Sequence, residues 1–147
     1  MSALTKVLAD QVRKAEEAAQ TDHFLRKYRL THHLMPPTGW LNDPNGLCYY
    51  KGRYHVFFQY SPFDAFGGLK FWGHYSSEDM INWRYEGVPL LPDSIYDCHG
   101  VYSGCAVPEK DKLHLFFSGN VKMDGDYDYI NNGRQASTLH VESEDGI

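Results

Sequence analysis

Asp43 is the residue of this sequence best placed to do chemistry. It stands in Trp40-Leu41-Asn42-Asp43-Pro44-Asn45-Gly46, a dense run of turn formers behind the Pro36-Pro37 pair and just ahead of the first strand-like segment. A turn of this kind can hold an ionised carboxylate in one orientation: Pro44 fixes φ, Gly46 accepts a positive φ, and Asn42 and neighbouring N–H groups keep the charge in place. The same geometry equally suits an aspartate that only bonds backbone N–H groups of its own turn. The heptapeptide alone leaves both uses open.

The elements that must position Asp43 come from a chain of 147 residues, long enough for one domain with a core, and 42% apolar with 22% charged residues is ordinary for a folded protein. Aromatic residues make up 15%, a share used both by β-rich folds and by surfaces on which sugars stack. The net charge of −5, without a block of Lys or Arg, argues against a nucleic acid or an anionic membrane as the main partner and favours a neutral ligand. Neither a basic-then-apolar leader nor a long apolar run is present, so cytoplasmic residence is the expectation. Cys48, Cys98 and Cys105 are odd in number and lack metal-type spacing, which predicts reduced thiols and no metal site.

From about Ala3 to Lys27 the apolar residues Leu4, Val7, Leu8, Val12, Ala15, Ala18, Ala19 and Leu25 follow one helical stripe. Ser2 suits its N-cap, and Asp10 with Lys14 suits an i,i+4 ion pair. Beyond Tyr28, Pro36-Pro37 and Gly39 forbid a continuing helix, and strands take over. Gly46 to Tyr50 and Arg53 to Tyr60 read as a hairpin about Lys51-Gly52, Leu69 to Ser76 as a third strand and Trp83 to Glu86 as a short fourth. Between the last two, the segment running from Ser76 to Asn82 reads as a capped helical turn.

The second half repeats the first. His55-Val56-Phe57-Phe58 aligns with His114-Leu115-Phe116-Phe117, an offset of 114 − 55 = 59, and His74 to Asp79 aligns with His140 to Asp145, an offset of 140 − 74 = 66. The extra residues fall in the polar stretch Asp124 to Arg134, where an insertion is tolerated. Two divergent four-stranded units suggest propeller blades, blade 1 at about 40–90 and blade 2 at about 98–147; two hairpins of one β-sandwich are the alternative. Blades bury their faces only against neighbours, so the expectation is a leader at 1–29 and then a partial propeller at 30–147, the first portion of a longer protein.

The run from His33 to Gly46 resembles the start of the catalytic domain of glycoside hydrolase family 32. Phe58-Gln59-Tyr60-Ser61-Pro62 is similar to its second motif, Trp72-Gly73-His74 with Ser77, Asp79 and Trp83 to its third, and Tyr102-Ser103-Gly104 to its Phe-Ser-Gly motif. The resemblance implies an all-β fold behind an N-terminal helix, here the first two blades of a five-bladed β-propeller. It also implies a retaining β-fructofuranosidase acting on sucrose, sucrose 6-phosphate or a fructan. Asp43 would be the nucleophile that forms a fructosyl intermediate, and Asn42, Gln59, Trp72, Tyr102 and Ser103 would line the fructose subsite. A small carbohydrate is the implied partner, and no cofactor is expected. Read without the resemblance, Trp72 and Tyr102 serve equally well as blade core, and Gln59 as a backbone partner at a strand end. Trp83 and His74 read as packing and buried polar contact, and His55 and His114 as structural.

A retaining glycosidase needs a second carboxyl group as acid and base. The family takes it from a Glu-Cys motif and a stabiliser from an Arg-Asp-Pro motif, and neither occurs here. Asp64, Asp97 and Glu109 lie in no matching context. The chain by itself is therefore expected to be inactive. Leu41, Tyr102 and Cys105 also depart from the residues usual in the family. Fructosyl transfer, a non-catalytic fructoside-binding relic and a structural β-protein without a sugar site are the rival readings.

Overall fold

The computed structural model describes residues 2–147; Met1, the first residue of the expected leader, lies outside them. Two helices, α1 (Ala3–Thr21) and α2 (His23–Lys27), precede seven strands: β1 (Trp40–Tyr50), β2 (Arg53–Ser61), β3 (Phe71–Ser77), β4 (Arg84–Leu90), β5 (Val101–Glu109), β6 (Lys112–Lys122) and β7 (Arg134–Ser143). The chain is thus all-β behind an N-terminal helix, as expected. One sheet has the order β1-β2-β3-β4 and the other β5-β6-β7, and every pairing is antiparallel. Each strand pairs with the next in sequence, so hairpins alone build both sheets.

The sheets face one another across Tyr50, Phe57, Trp72 and Leu90 from the first and Val101, Leu113, Leu115 and Phe117 from the second. Burial of each such side chain contributes about 1.5–3 kcal/mol. On the opposite face of the first sheet, Phe58, Tyr60 and Phe71 pack around Val12 of α1. β2 is consequently buried on both faces, which is why Val56-Phe57-Phe58 interrupts the alternation of a half-exposed strand. Glu16 reinforces the helix contact, accepting hydrogen bonds from the Tyr85 (2.6 Å) and Tyr60 (3.1 Å) hydroxyls. Burial raises its pKa, a tendency that those two bonds oppose.

The repeat is visible in side-chain detail. His55 Nδ1 and His74 Nε2 are 2.9 Å apart, and His114 Nδ1 and His140 Nε2 are 3.0 Å apart. Phe57 stacks on His74 at 4.2 Å as Phe116 stacks on His140 at 4.5 Å. Registers agree as well: His55 lies opposite Ser76 and His114 opposite Glu142, positions that the two offsets equate. The first pair is buried between the sheets, and burial lowers both pKa values, that of His74 to about 3.

Three local expectations are corrected. The N-terminal helix is not continuous to Lys27. Asp22 ends α1 and caps α2, its carboxylate accepting from the backbone N–H of Phe24 (2.8 Å) and Leu25 (3.1 Å). Ser2 does cap α1, and the Asp10–Lys14 pair forms at 2.7 Å. The segment after Ser77 is not helical, because Met80 has φ 61° and Asp79 acts as the hub of a turn, accepting from the N–H groups of Ile81 (2.8 Å) and Asn82 (2.7 Å). Finally, Trp40–Gly46 is not a turn ahead of the first strand. It is the irregular first half of β1, paired with β2 and interrupted by register shifts between Asn42 and Pro44 and between Asn45 and Cys48. The turn formers are absorbed by bulges, where pairing to β2 satisfies the backbone that a free turn would leave to water.

Candidate active site

Asp43 is the extra residue of the first bulge. Asn42 pairs with Gln59 and Pro44 with Phe58, which leaves Asp43 without a partner and with φ at 37°. A left-handed conformation is uncommon for a residue other than glycine and costs of the order of 1–2 kcal/mol, and bulges re-aim side chains. Its side chain is exposed, and both carboxylate oxygens are held: Asn42 Nδ2 donates to Oδ1 at 2.7 Å and Ser103 Oγ donates to Oδ2 at 3.1 Å. The backbone is held too, since Asn45 Nδ2 donates to the Asp43 carbonyl at 2.8 Å.

The other residues singled out from sequence converge here through the register. Asn42, Gln59 and Trp72 lie opposite one another across β1, β2 and β3. Gln59 is 4% exposed and donates from Nε2 to Ser103 Oγ at 3.0 Å, so a chain of bonds runs from Gln59 through Ser103 to Asp43 and ties the two sheets together. Trp72 is fully buried between Phe57 (5.6 Å) and Phe117 (5.9 Å), and its indole N–H donates to the Tyr102 carbonyl at 3.0 Å. It reaches the site through Tyr102 and presents no free face of its own. Of the two uses left open by the residue type, the structure has Trp72 in the core and leaves Tyr102 half-buried at the rim.

The acidic residues left aside are ordinary. Asp97 is buried and accepts from the Ser94 N–H and hydroxyl, each at 2.8 Å. Glu109 pairs loosely with Lys110 at 3.9 Å. Asp64 accepts the Phe66 N–H at 2.7 Å. A cleft of about 800 Å³ lies between α2 and the segment leading into β1, over Trp40 and Leu41 and not over Asp43.

Sequence reasoning missed Asn45, Trp40, Lys70 and Arg134. Asn45 and Trp40 belong to the heptapeptide itself, and their inclusion in it was the available signal. Lys70 and Arg134 lie outside every motif, and only the fold brings them to the Tyr102 ring, at 6.0 and 5.5 Å from its centroid. His114, His140 and Glu142 form a cluster of metal-ligand type on the outer face of the second sheet. The same His pair is buried in the first sheet with Ser76 in the third position, which accounts for the pair as a structural feature of the repeat.

The carboxylate thus lies open to solvent on two meandering sheets, flanked by amide and hydroxyl groups. The description of the glycosyl hydrolases family 32 N-terminal domain matches residues 33–146, and the chain belongs to that family. Sucrose-6-phosphate hydrolase of Bacillus subtilis (strain 168) is 48% identical over 139 residues, covering 94% of this chain and 27% of that protein. Raffinose invertase of Escherichia coli is 48% identical over 92 residues, 63% of this chain and 19% of that protein. Among solved structures, a β-fructofuranosidase of Bombyx mori superposes with a TM-score of 0.77 at 34% identity, over 94% of this chain and 28% of that one. Sucrose-6-phosphate hydrolase of Lactobacillus gasseri does so with a TM-score of 0.75 at 34% identity, over 92% and 26%. The chain spans about a quarter of the length of these relatives. Its two sheets fit partial blades of a β-propeller.

Proposed function

We propose that this chain supplies the nucleophile side of the active site of a retaining β-fructofuranosidase that hydrolyses sucrose or sucrose 6-phosphate. The observation that carries the reading is the Asp43 carboxylate, set on a bulge and held on both oxygens by Asn42 and Ser103. In this reading Asp43 attacks the anomeric C2 of the fructosyl unit, the bond to the leaving sugar breaks, and water later releases the fructosyl group with the configuration retained. Asn42, Gln59, Tyr102 and Ser103 offer amides and hydroxyls to sugar hydroxyls, and Trp72 fixes Tyr102 from behind. The leaving oxygen needs a proton from a second carboxyl group, and no residue here stands in the motif that supplies it.

In this reading 1–29 is a leader and 30–147 a partial propeller, and that requirement is met by catalytic groups from further chain. The 147 residues alone are then inactive. No helix among the described residues is long and apolar enough to cross a membrane, and the thiols of Cys48, Cys98 and Cys105 are free, which suits a reducing cytoplasm.

The test compares the protein as it occurs in its cell with its Asp43→Asn form. Acid quenching during sucrose turnover should trap a peptide containing Asp43 heavier by one hexosyl residue, and the Asn form should lose both adduct and turnover. Undiminished turnover after Asp43→Asn refutes the assignment. Sucrose cleavage by the 147-residue chain, abolished by Asp43→Asn, refutes its dependence on further chain.

A further inference from the structure

The Asp43 bulge has a counterpart in the second sheet. On β5, Tyr102 pairs with Ser118 and Gly104 with Phe117, so Ser103 is passed over as Asp43 is passed over between the Asn42–Gln59 and Pro44–Phe58 pairs. The positions correspond through the repeat, since 103 − 43 = 60 on the first strand of each sheet and 118 − 59 = 59 on its partner. Each sheet thus leaves one residue of its first strand out of the ladder at the same place. The two side chains freed in this way, Asp43 and Ser103, bond one another across the sheets at 3.1 Å.

The hydrogens along this contact have one arrangement. An ionised carboxylate only accepts, and a serine hydroxyl holds a single proton. With that proton on Asp43 Oδ2, the Ser103 oxygen can make a further bond only as an acceptor, and Gln59 supplies it from Nε2 at 3.0 Å. An amide turned the other way would draw the serine proton off the carboxylate. Gln59 is held against such turning by its burial on β2 between Phe58 and Tyr60, both packed around Val12 of α1. Its register partner Trp72 donates to the Tyr102 carbonyl at 3.0 Å, so opposed residues of β2 and β3 grip consecutive residues of β5.

We infer that Gln59 is a positioning residue: it acts on the reaction through Ser103, whose one proton it keeps on the Asp43 carboxylate, and this outweighs any contact of its own with the sugar. The assignment rests on the fructosidase reading above and gives Gln59 a task within that site. Hydrogen bonds that end on a charged group are roughly twice as strong as neutral ones, and a donor behind the hydroxyl polarises it further. The nucleophile is thereby held from two sides, by Asn42 on its own strand and by Ser103 of the other sheet, with Gln59 behind the serine.

The test uses the protein as it occurs in its cell and whichever of sucrose and sucrose 6-phosphate it turns over, and compares Gln59→Met, Ser103→Ala and the double variant. Methionine keeps the side chain's length and removes the donor, and Ser103 is half-buried, so both variants should fold. kcat should fall roughly tenfold in each single variant, and the double variant should be no slower than the slower single one, because both substitutions break the same chain of bonds. Binding should not follow. With Asp43→Asn to prevent turnover, calorimetry should show Gln59→Met changing the dissociation constant of the sugar by less than about threefold. Losses that multiply in the double variant, or a dissociation constant that rises in step with the fall in kcat, make Gln59 a sugar ligand and overturn its positioning role. Turnover by Ser103→Ala within about twofold of wild type overturns it as well, and that result needs only the rim variant to fold. An unsubstituted protein that neither binds nor cleaves either sugar overturns the fructosidase reading itself, and the role of Gln59 with it.

Discussion

Acidification from pH 7 to pH 5 asks His74 to take up a proton in a place that cannot hold one. The ring is 1% exposed, stacked 4.2 Å from Phe57 and bonded to His55 at 2.9 Å, with Arg53 and Glu86 as the other charged groups facing it. Desolvation is the leading cause that brings its pKa down from 6.5 to about 3, with the coulombic effect of His55 next. The unfolded chain binds the proton near pH 6.5 and the folded chain does not, so the stability contributed by neutral His74 is present above pH 6.5 and lost as pH falls. At pH 5.0 the loss is 6.5 − 5.0 = 1.5 pH steps at 1.36 kcal/mol each, about 2 kcal/mol from this one group. Against a stability of ~5–15 kcal/mol for a domain, that is a large fraction. His55, whose pKa burial also lowers, adds a loss in the same direction. Urea unfolding at pH 7.0 and 5.0 should show the drop in the wild type and a much smaller one in His74→Gln, whatever the absolute stability of the variant. Glu16, whose pKa burial raises, is present in both proteins and so cancels from the comparison. An equal pH dependence in both proteins would refute the claim that the buried histidine pair, and not the surface, carries the acid sensitivity of the contact between the sheets.

Two further outcomes follow from packing. A methyl group added at Gly104 would lie 1.9 Å from the Phe116 carbonyl oxygen and 2.7 Å from the Phe117 Cα, both backbone. Gly104→Ala should therefore lower stability by about 3 kcal/mol or more and disorder β5, as read from the urea midpoint and amide exchange; a midpoint within error of wild type would refute this close approach of β5 to β6. Glu16→Ala leaves the Tyr60 and Tyr85 hydroxyls without their acceptor and should cost roughly 1–3 kcal/mol for each, measured the same way. Glu16→Gln keeps an acceptor there. Because burial raises the Glu16 pKa, its contribution is greatest at low pH and declines as pH rises, so the Gln form should gain on the wild type between pH 4 and 7.

Much of this protein was legible in one dimension because the determining interactions are local or periodic. The helix and its Ser2 cap, the hairpin about Lys51-Gly52 and the repeat offsets of 59 and 66 all depend on neighbours a few residues away or on the two-residue alternation of a strand. Family motifs brought Asp43, Asn42, Gln59, Tyr102 and Ser103 to notice before any contact between them was known. The heptapeptide was misread as a free turn for a physical reason: proline, glycine and aspartate signal a departure from regular backbone, and whether that departure is a turn or a bulge depends on a partner strand they do not encode. Tertiary structure alone decided that Asp43 is the unpaired residue of β1, that Ser103 crosses from the other sheet to bond it, and that Trp72 spends its faces on the core. It alone also brought Lys70 and Arg134, 134 − 70 = 64 residues apart in sequence, to the Tyr102 ring. Such charges leave no period and no motif along the chain, because their meaning lies in the distances that folding sets between them.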